Sequence, residues 1–241
     1  MQPHSQPEWR DLRPGRRLRA VVFDLDDTLV ESTVDFPKFK SLVIRRMGEF
    51  GDDPGDYSLS ETIVAILERF EGRMARRGVP GPEVRRMLAE LDRIMDSVEM
   101  ERVEGTSALP GAREVLEALR ARGVKVGVLT RGCEEYASRA LSLTGLACLV
   151  DAMECRNSHT RPKPFPDSYL RLVDALAVDK DETVFVGDHP IDAQCAANAG
   201  VPFIGVMTGD VPEEVLVKAG SAIVVEDVGG LAGFFERALD S

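Results

Sequence analysis

Leu18-Arg19-Ala20-Val21-Val22-Phe23-Asp24-Leu25-Asp26-Asp27-Thr28-Leu29 is the stretch from which the rest of the chain can be read. Its first half is the first strongly apolar run in the sequence and predicts a strand. That strand ends in a cluster of aspartates, Asp24, Asp26 and Asp27. Asp24 and Asp26 alternate with Leu25, so an extended backbone turns both carboxylates in the same general direction. Taken alone, an acidic cluster after a strand reads equally as a helix cap or a solvated turn.

Beyond Leu29 the apolar period changes. Phe36, Phe39, Val43, Met47 and Phe50 recur at helical spacing. The same holds for Leu59, Ile63, Ile66, Leu67, Phe70 and Met74, and again for Val84, Met87, Leu88, Leu91, Ile94, Met95 and Val98. Gly51-Asp-Asp-Pro-Gly55 and Gly78-Val-Pro-Gly-Pro82 punctuate these runs. From Pro110 helix and strand alternate: helix over 112–122, strand at Val124–Leu129, helix over 133–144. Further short strands are expected near 147–150, at Thr183–Val186, Pro202–Val206 and Ala222–Val225. Such alternation predicts an α/β fold, a Rossmann-like doubly wound parallel sheet covered on both faces, with a small all-helical domain inserted after the first strand. The expected division is an N-terminal tail over 1–18, an α/β core over 19–30 and 107–241, and the helical domain over 31–106.

Length and composition limit the possibilities. A chain of 241 residues buries roughly 70–75% of its unfolded surface, enough for one core and a small accessory domain. No apolar run approaches the ~18 residues that span a bilayer, and Met1–Arg19 has no apolar leader, so a cytoplasmic location without membrane partners is expected. Four cysteines without C-x-x-C spacing, and only His4, His159 and His189, argue against zinc or a disulfide framework. A net charge of -11 argues against a nucleic-acid partner. Five arginines between Arg10 and Arg19 are expected to form a solvated flank.

In open α/β sheets, ligands bind outside the carboxyl ends of the strands. Four groups fall there or close by: Asp24 and Asp26, then Thr130, then Asp188 after Gly187, and Lys163 in a loop before the helix near 167. Strand tips lie ~4.8 Å apart, so these groups can converge on one phosphate-sized ligand. Carboxylates sharing a pocket repel unless a cation joins them, and an oxygen-rich site suits Mg²⁺. Thr130 and Lys163 would then stabilise phosphoryl oxygens. Separately, Thr130 could cap the next helix and Lys163 could be a surface lysine.

Together, Phe23-Asp-Leu-Asp-Asp-Thr-Leu29, Val128-Leu-Thr130, Lys163-Pro-Phe-Pro-Asp167 and Val186-Gly-Asp-His-Pro-Ile-Asp192 resemble, in order and spacing over about residues 19–226, the motifs of the haloacid dehalogenase superfamily. The likeness is to its phosphatase branch, of the phosphoglycolate phosphatase kind, with a helical cap after the first strand. The resemblance implies Asp24 as a nucleophile that forms an aspartyl phosphate. It implies Asp26 as proton donor and then base. Asp24, the Asp26 carbonyl and Asp188 would hold Mg²⁺, Thr130 and Lys163 would grip the phosphoryl group, and Asp192 would orient Lys163 or a metal-bound water.

The sequence departs from that pattern in two places. Asp27 stands where glycine is common, as in branches acting on nucleotides or sugar phosphates. Arg131 stands where asparagine is common, and its guanidinium either meets an anionic group of the substrate or points to solvent. His189 reads as a loop residue. Arg69, Arg73, Arg76 and Arg77 form either a basic stripe over the site or a solvated helix face. Connections at Val30–Thr33 and Glu104–Pro110 are candidate hinges.

The expected partner is a small phosphorylated metabolite, phosphoglycolate-like or a sugar phosphate, handled by a monomer or homodimer. A phosphomutase, or a phosphatase of nucleotides or triose phosphates, remains open. Dehalogenation does not need these metal-binding carboxylates. Outside catalysis, a phospho-acceptor receiver domain also combines acidic residues, Thr and Lys, but lacks a helical insertion after its first strand. A silent phosphate-binding protein of the same fold is the other non-enzymatic reading.

Overall fold

The computed structural model describes residues 8–158 and 161–240. His4, His159 and residues 1–7 of the expected tail lie outside the described residues. The chain runs α1 (Trp9–Leu12), β1 (Ala20–Phe23), β2 (Val30–Glu31), α2 (Phe36–Glu49), α3 (Ile63–Arg76), α4 (Gly81–Met100), β3 (Ser107–Ala108), α5 (Ala112–Ala121) and β4 (Lys125–Leu129). It continues as α6 (Glu134–Leu143), β5 (Ala152–Glu154), α7 (Asp167–Leu176), β6 (Thr183–Gly187), α8 (Pro190–Ala199), β7 (Phe203–Val206), α9 (Glu213–Lys218), β8 (Ile223–Val225) and α10 (Ala232–Asp240). Among the described residues no helix is long and apolar enough to cross a membrane. The elements form two compact units, residues 8–32 with 106–240, and Thr33–Gly105.

The first unit is built on a six-stranded parallel sheet of order β5-β4-β1-β6-β7-β8. β1 lies inside it, and all four of its residues are buried, as a strand covered on both faces requires. Phe23 is in register with Val128 on β4 and Val186 on β6. From β1 the sheet grows through β4 and β5 on one side and β6, β7 and β8 on the other. The strand order therefore reverses beside β1, where open α/β sheets bind ligands. Tyr169, Leu172 and Val173 of α7, with Ala193, Cys195 and Ala196 of α8, pack on Val22, Phe185 and Phe203 in one core. Each fully buried large side chain contributes ~1.5–3 kcal/mol.

The strand expected near 147–150 lies slightly later in the chain. Ala147–Leu149 form a 3₁₀ turn, and the strand is Ala152–Glu154. Gly145, at φ +69°, ends α6 and turns the chain. Register begins only at Asp151, whose N–H donates to Val126 O at 2.8 Å while its carboxylate accepts from Val126 N at 2.8 Å.

Residues 8–18 are not merely a solvated flank. Trp9 is buried and donates its indole N–H to Arg16 O at 2.6 Å. Arg13 donates to the Gly200 carbonyl, and Arg16 faces Asp179 at 3.5 Å and Asp181 at 3.7 Å. These arginines tie the segment before β1 to the end of α8 and the turn before β6.

The second unit is α-helical. Phe39, Val43 and Met47 of α2, Ile66, Phe70 and Met74 of α3, and Leu91 and Met95 of α4 form its core. Asp35 and Thr62 cap α2 and α3 through their side chains. Two arginines of α3, Arg69 and Arg73, are engaged inside this unit, while Arg76 and the following Arg77 are exposed. Arg73 bonds the buried Asp52 at 2.8 Å and also pairs with Asp56, while Arg69 donates to Asp56 O at 2.6 Å and pairs with Glu61. The two connections flanking the unit meet as an antiparallel ladder, Val30 opposite Ala108 and Glu31 opposite Ser107.

Candidate active site

Asp24 directly follows β1, and its N–H donates to Val186 O at 2.8 Å, which keeps the backbone in sheet register to the strand tip. The chain then bends. Leu29 N–H and Val30 N–H both donate to Leu25 O, at 2.9 and 3.1 Å, closing a turn over the fully buried Leu25. Asp27 occupies that turn at φ +55°, a left-handed conformation that glycine adopts freely and Asp tolerates better than most residues. Its Oδ1 accepts from Ser32 N at 3.0 Å, and its carbonyl accepts from the Thr208 hydroxyl. The acidic residue at this position therefore serves the turn.

Lys163 reaches the tip of β1 from the loop before α7. Asn198 of α8 donates to Pro164 O at 2.9 Å, and Cys195 to Phe165 O at 3.3 Å, so α8 holds this loop. Lys163 Nζ lies 2.5 Å from Asp24 Oδ1 and 2.6 Å from Asp192 Oδ1, with all three side chains buried. Asp192 opens α8, and its Oδ2 accepts from His189 N at 3.2 Å. His189 is engaged in the same cap, its Nδ1 accepting from Ile191 N at 3.1 Å. Asp188 follows β6, is buried, and accepts from the Thr28 hydroxyl at 3.4 Å.

Oxygens of Asp24, Asp188 and Asp192 all lie within 4.8 Å of one another. Three buried carboxylates thus face one ammonium group. Burial, opposed by Lys163 but reinforced by Asp192 and Asp26, raises the Asp24 carboxyl well above the usual range. Asp188 is raised further, by burial and then by the charges of Asp24, Asp192 and Asp27. Burial disfavours the Lys163 ammonium, but Asp192 and Asp24 outweigh it and raise its pKa. Such an under-compensated cluster of hard oxygen donors fits a divalent cation of the Mg²⁺ kind. Asp192 gives one oxygen to Lys163 and the other to the α8 cap, which leaves Asp24 and Asp188 as the carboxylates suited to coordinate it.

Thr130 follows β4 and is buried, its N–H donating to Glu154 O at 3.0 Å. Its Oγ1 accepts from Gly132 N at 2.9 Å, which leaves the hydroxyl proton to donate. The helix that follows is capped instead by Cys133. Arg131 is half-buried, and its carbonyl accepts from Arg156 at 3.0 Å. Asp26 has a partner from α6. Its Oδ1 accepts from the hydroxyl of Tyr136, on the first turn of α6, at 2.5 Å.

Four contributors escaped the sequence reading. Thr28 sits inside the acidic motif and has the visible signal of a hydroxyl one residue past Asp27. Thr208 and Gly209 follow β7, another strand tip. A Cβ on Gly209 would lie 2.1 Å from Asp188 Oδ2, so the absence of a side chain there lets the carboxylate sit where it does. Tyr136 has no local signal, since its role depends on α6 packing beside the β1 turn.

The family described as haloacid dehalogenase-like hydrolase matches residues 21–206. A protein of Rhodospirillum rubrum named phosphoglycolate phosphatase is 30% identical over 219 residues, covering 88% of this chain and 89% of that protein. One of Streptomyces hygroscopicus named validoxylamine A 7'-phosphate phosphatase is 27% identical over 197 residues, covering 79% and 86%. The crystal structure of a haloacid dehalogenase family hydrolase from Deinococcus radiodurans, with bound phosphate and sodium, superposes with a TM-score of 0.62 at 25% identity, covering 92% of this chain and 97% of that one. This chain belongs to the haloacid dehalogenase-like hydrolases, and within them it is an enzyme of the phosphatase kind.

Proposed function

We propose that the chain is a Mg²⁺-dependent phosphatase of small phosphate monoesters that works through an aspartyl phosphate on Asp24. The observation that carries this reading is the pairing of Asp24 with Lys163 at the β1 tip, inside a buried carboxylate cluster that one lysine does not neutralise. When bound, Mg²⁺ supplies charge neutralisation between the incoming phosphate and the attacking carboxylate. Asp24 and Asp188, with the backbone carbonyl of Asp26, are the groups that would hold it.

The rest follows from the chain's own side chains. Asp24 attacks phosphorus, the bond from phosphorus to the ester oxygen breaks, and its electron pair stays on that oxygen. Asp26 delivers the proton that oxygen needs. Water then attacks the aspartyl phosphate and Asp26 takes its proton. The bond from phosphorus to the Asp24 oxygen breaks, releasing inorganic phosphate and the free carboxylate. Lys163 and the Thr130 hydroxyl hold the phosphoryl oxygens, stabilisation that phosphoryl transfer depends on. Asp192 keeps Lys163 in place.

The substrate class we favour is a small acidic or sugar-like phosphate of the phosphoglycolate type, supported by the names of the relatives and by the Lys163-Pro-Phe-Pro-Asp167 segment. A panel of phosphoglycolate, sugar phosphates, nucleotides and triose phosphates, assayed for phosphate release with and without Mg²⁺, tests it. Asp24→Asn is expected to lose at least about 10³-fold in kcat. Unchanged turnover in that variant would remove Asp24 as nucleophile.

A further inference from the structure

We propose that Tyr136 is the positioning residue for Asp26, fixing which carboxyl oxygen exchanges the proton. The inference rests on the reading of Asp26 as acid and base given above. The Tyr136 ring is fully buried, and its hydroxyl crosses 110 residues of sequence to donate to Asp26 Oδ1 at 2.5 Å. A buried phenol needs a partner, and here the partner is a reacting group.

The residue is held at its backbone and its ring lies against a glycine. Cys133 Sγ accepts from Tyr136 N–H at 3.5 Å and caps the first turn of α6. A Cβ on Gly132 would come within 2.8 Å of Tyr136 Cδ1, so the ring lies against the bare backbone of the loop that also carries Thr130. The hydroxyl that orients Asp26 and the hydroxyl offered to the phosphoryl group thus hang from one short segment, 130–136.

Carboxyl chemistry gives the arrangement its consequence. A carboxylic acid accepts hydrogen bonds best at its carbonyl oxygen and carries its proton on the other. With Tyr136 donating to Oδ1, the transferable proton sits on Oδ2 and the carboxyl plane is kept from turning. Tyr136 retains its own proton in both half-reactions. It acts on the ester substrate only through Asp26, so its effect should grow with the leaving group's need for a proton. A residue that merely filled the core would lower all substrates alike.

The test compares kcat/KM, which reports the first phosphoryl transfer, for p-nitrophenyl phosphate, phenyl phosphate and 2-phosphoglycolate in wild type and Tyr136→Phe. The p-nitrophenolate ion leaves readily without a proton; the alkoxide does not. The expected result is a loss of under about 3-fold with p-nitrophenyl phosphate and of about 10- to 100-fold with 2-phosphoglycolate, phenyl phosphate falling between. An equal loss across the three esters, no loss, or a gain would overturn the proposal. Asp26→Asn is assayed beside it. If that variant loses 2-phosphoglycolate hydrolysis while Tyr136→Phe shows no leaving-group dependence, only the positioning role fails. If Asp26→Asn keeps wild-type turnover of 2-phosphoglycolate, the reading of Asp26 as acid and base fails with it.

Discussion

Replacing Gly209 by alanine should weaken Mg²⁺ binding without unfolding the protein. The added Cβ would lie 2.1 Å from Asp188 Oδ2 and 3.0 Å from its Cγ, whereas real Cβ contacts essentially never fall under 3.0 Å. The backbone of Gly209 is outside the left-handed region, so alanine brings no conformational strain of its own. The contact must be relieved by Asp188 withdrawing roughly 1 Å or turning, which also disturbs its 3.4 Å bond from Thr28. Misplacement of ~1 Å costs up to about 10²-fold where geometry matters, and disturbing the support of a metal ligand costs about 10- to 100-fold. That corresponds to ~1.4–2.8 kcal/mol of metal affinity. The assay is Mg²⁺-dependent hydrolysis of p-nitrophenyl phosphate, read as the half-saturating Mg²⁺ concentration. It should rise 10- to 100-fold, with most of kcat recovered at saturation and the far-UV spectrum unchanged. A variant with wild-type half-saturation would refute the placing of Asp188 as a ligand whose position Gly209 permits.

Two further substitutions probe the same unit. Lys163→Met leaves Asp24 and Asp192 buried without their shared cation; it should lower stability in EDTA by ~3 kcal/mol in urea melts at pH 7, and a cost under about 1 kcal/mol would show that the pair is not structurally coupled. Asp151→Ala removes the acceptor of Val126 N–H and the partner of Arg120. Burial raises the Asp151 carboxyl, but the Val126 bond and the charges of Arg120 and Lys125 outweigh it, so the folded pKa lies below the unfolded value near 3.9. Its contribution, ~1 kcal/mol once solvent screening of the two cations is allowed for, is therefore present at neutral pH. It should fade as pH falls below about 4 through the lower folded pKa. A difference between wild type and variant that persists undiminished at pH 2.5 would contradict the assignment.

Much of the core could be read from local pattern because strands and helices advertise themselves by period. Ala20–Phe23 is apolar throughout because β1 is covered on both faces, and the residue after it, Asp24, necessarily lies at a strand tip. Thr130 and Asp188 follow β4 and β6 in the same way, and the sheet order puts those two strands beside β1. The register shift at 147–152 was not legible, since Ala147-Cys-Leu-Val150 is apolar enough for a strand while a glycine turn and the Asp151 carboxylate decide where pairing starts. Of the arginines between Arg10 and Arg19, Arg10, Arg17 and Arg19 are exposed, whereas the partners of Arg13 and Arg16 were not legible because Gly200 O, Asp179 and Asp181 lie more than 160 residues away.

The chemistry on offer is written locally in the chain: carboxylates, a hydroxyl and an ammonium, each at the end of an element whose period is local, in an order that resembles one hydrolase family. How those groups divide depends on the folded arrangement. Asp24 shares Lys163 with Asp192, Asp26 is held by Tyr136, Asp27 serves a left-handed turn, and Asp188 occupies space that Gly209 leaves empty. The physical reason is range. Backbone period is set by neighbours a few residues apart, whereas hydrogen bonds, burial and the repulsion of like charges depend on groups that meet only when the sheet has brought its strand tips together.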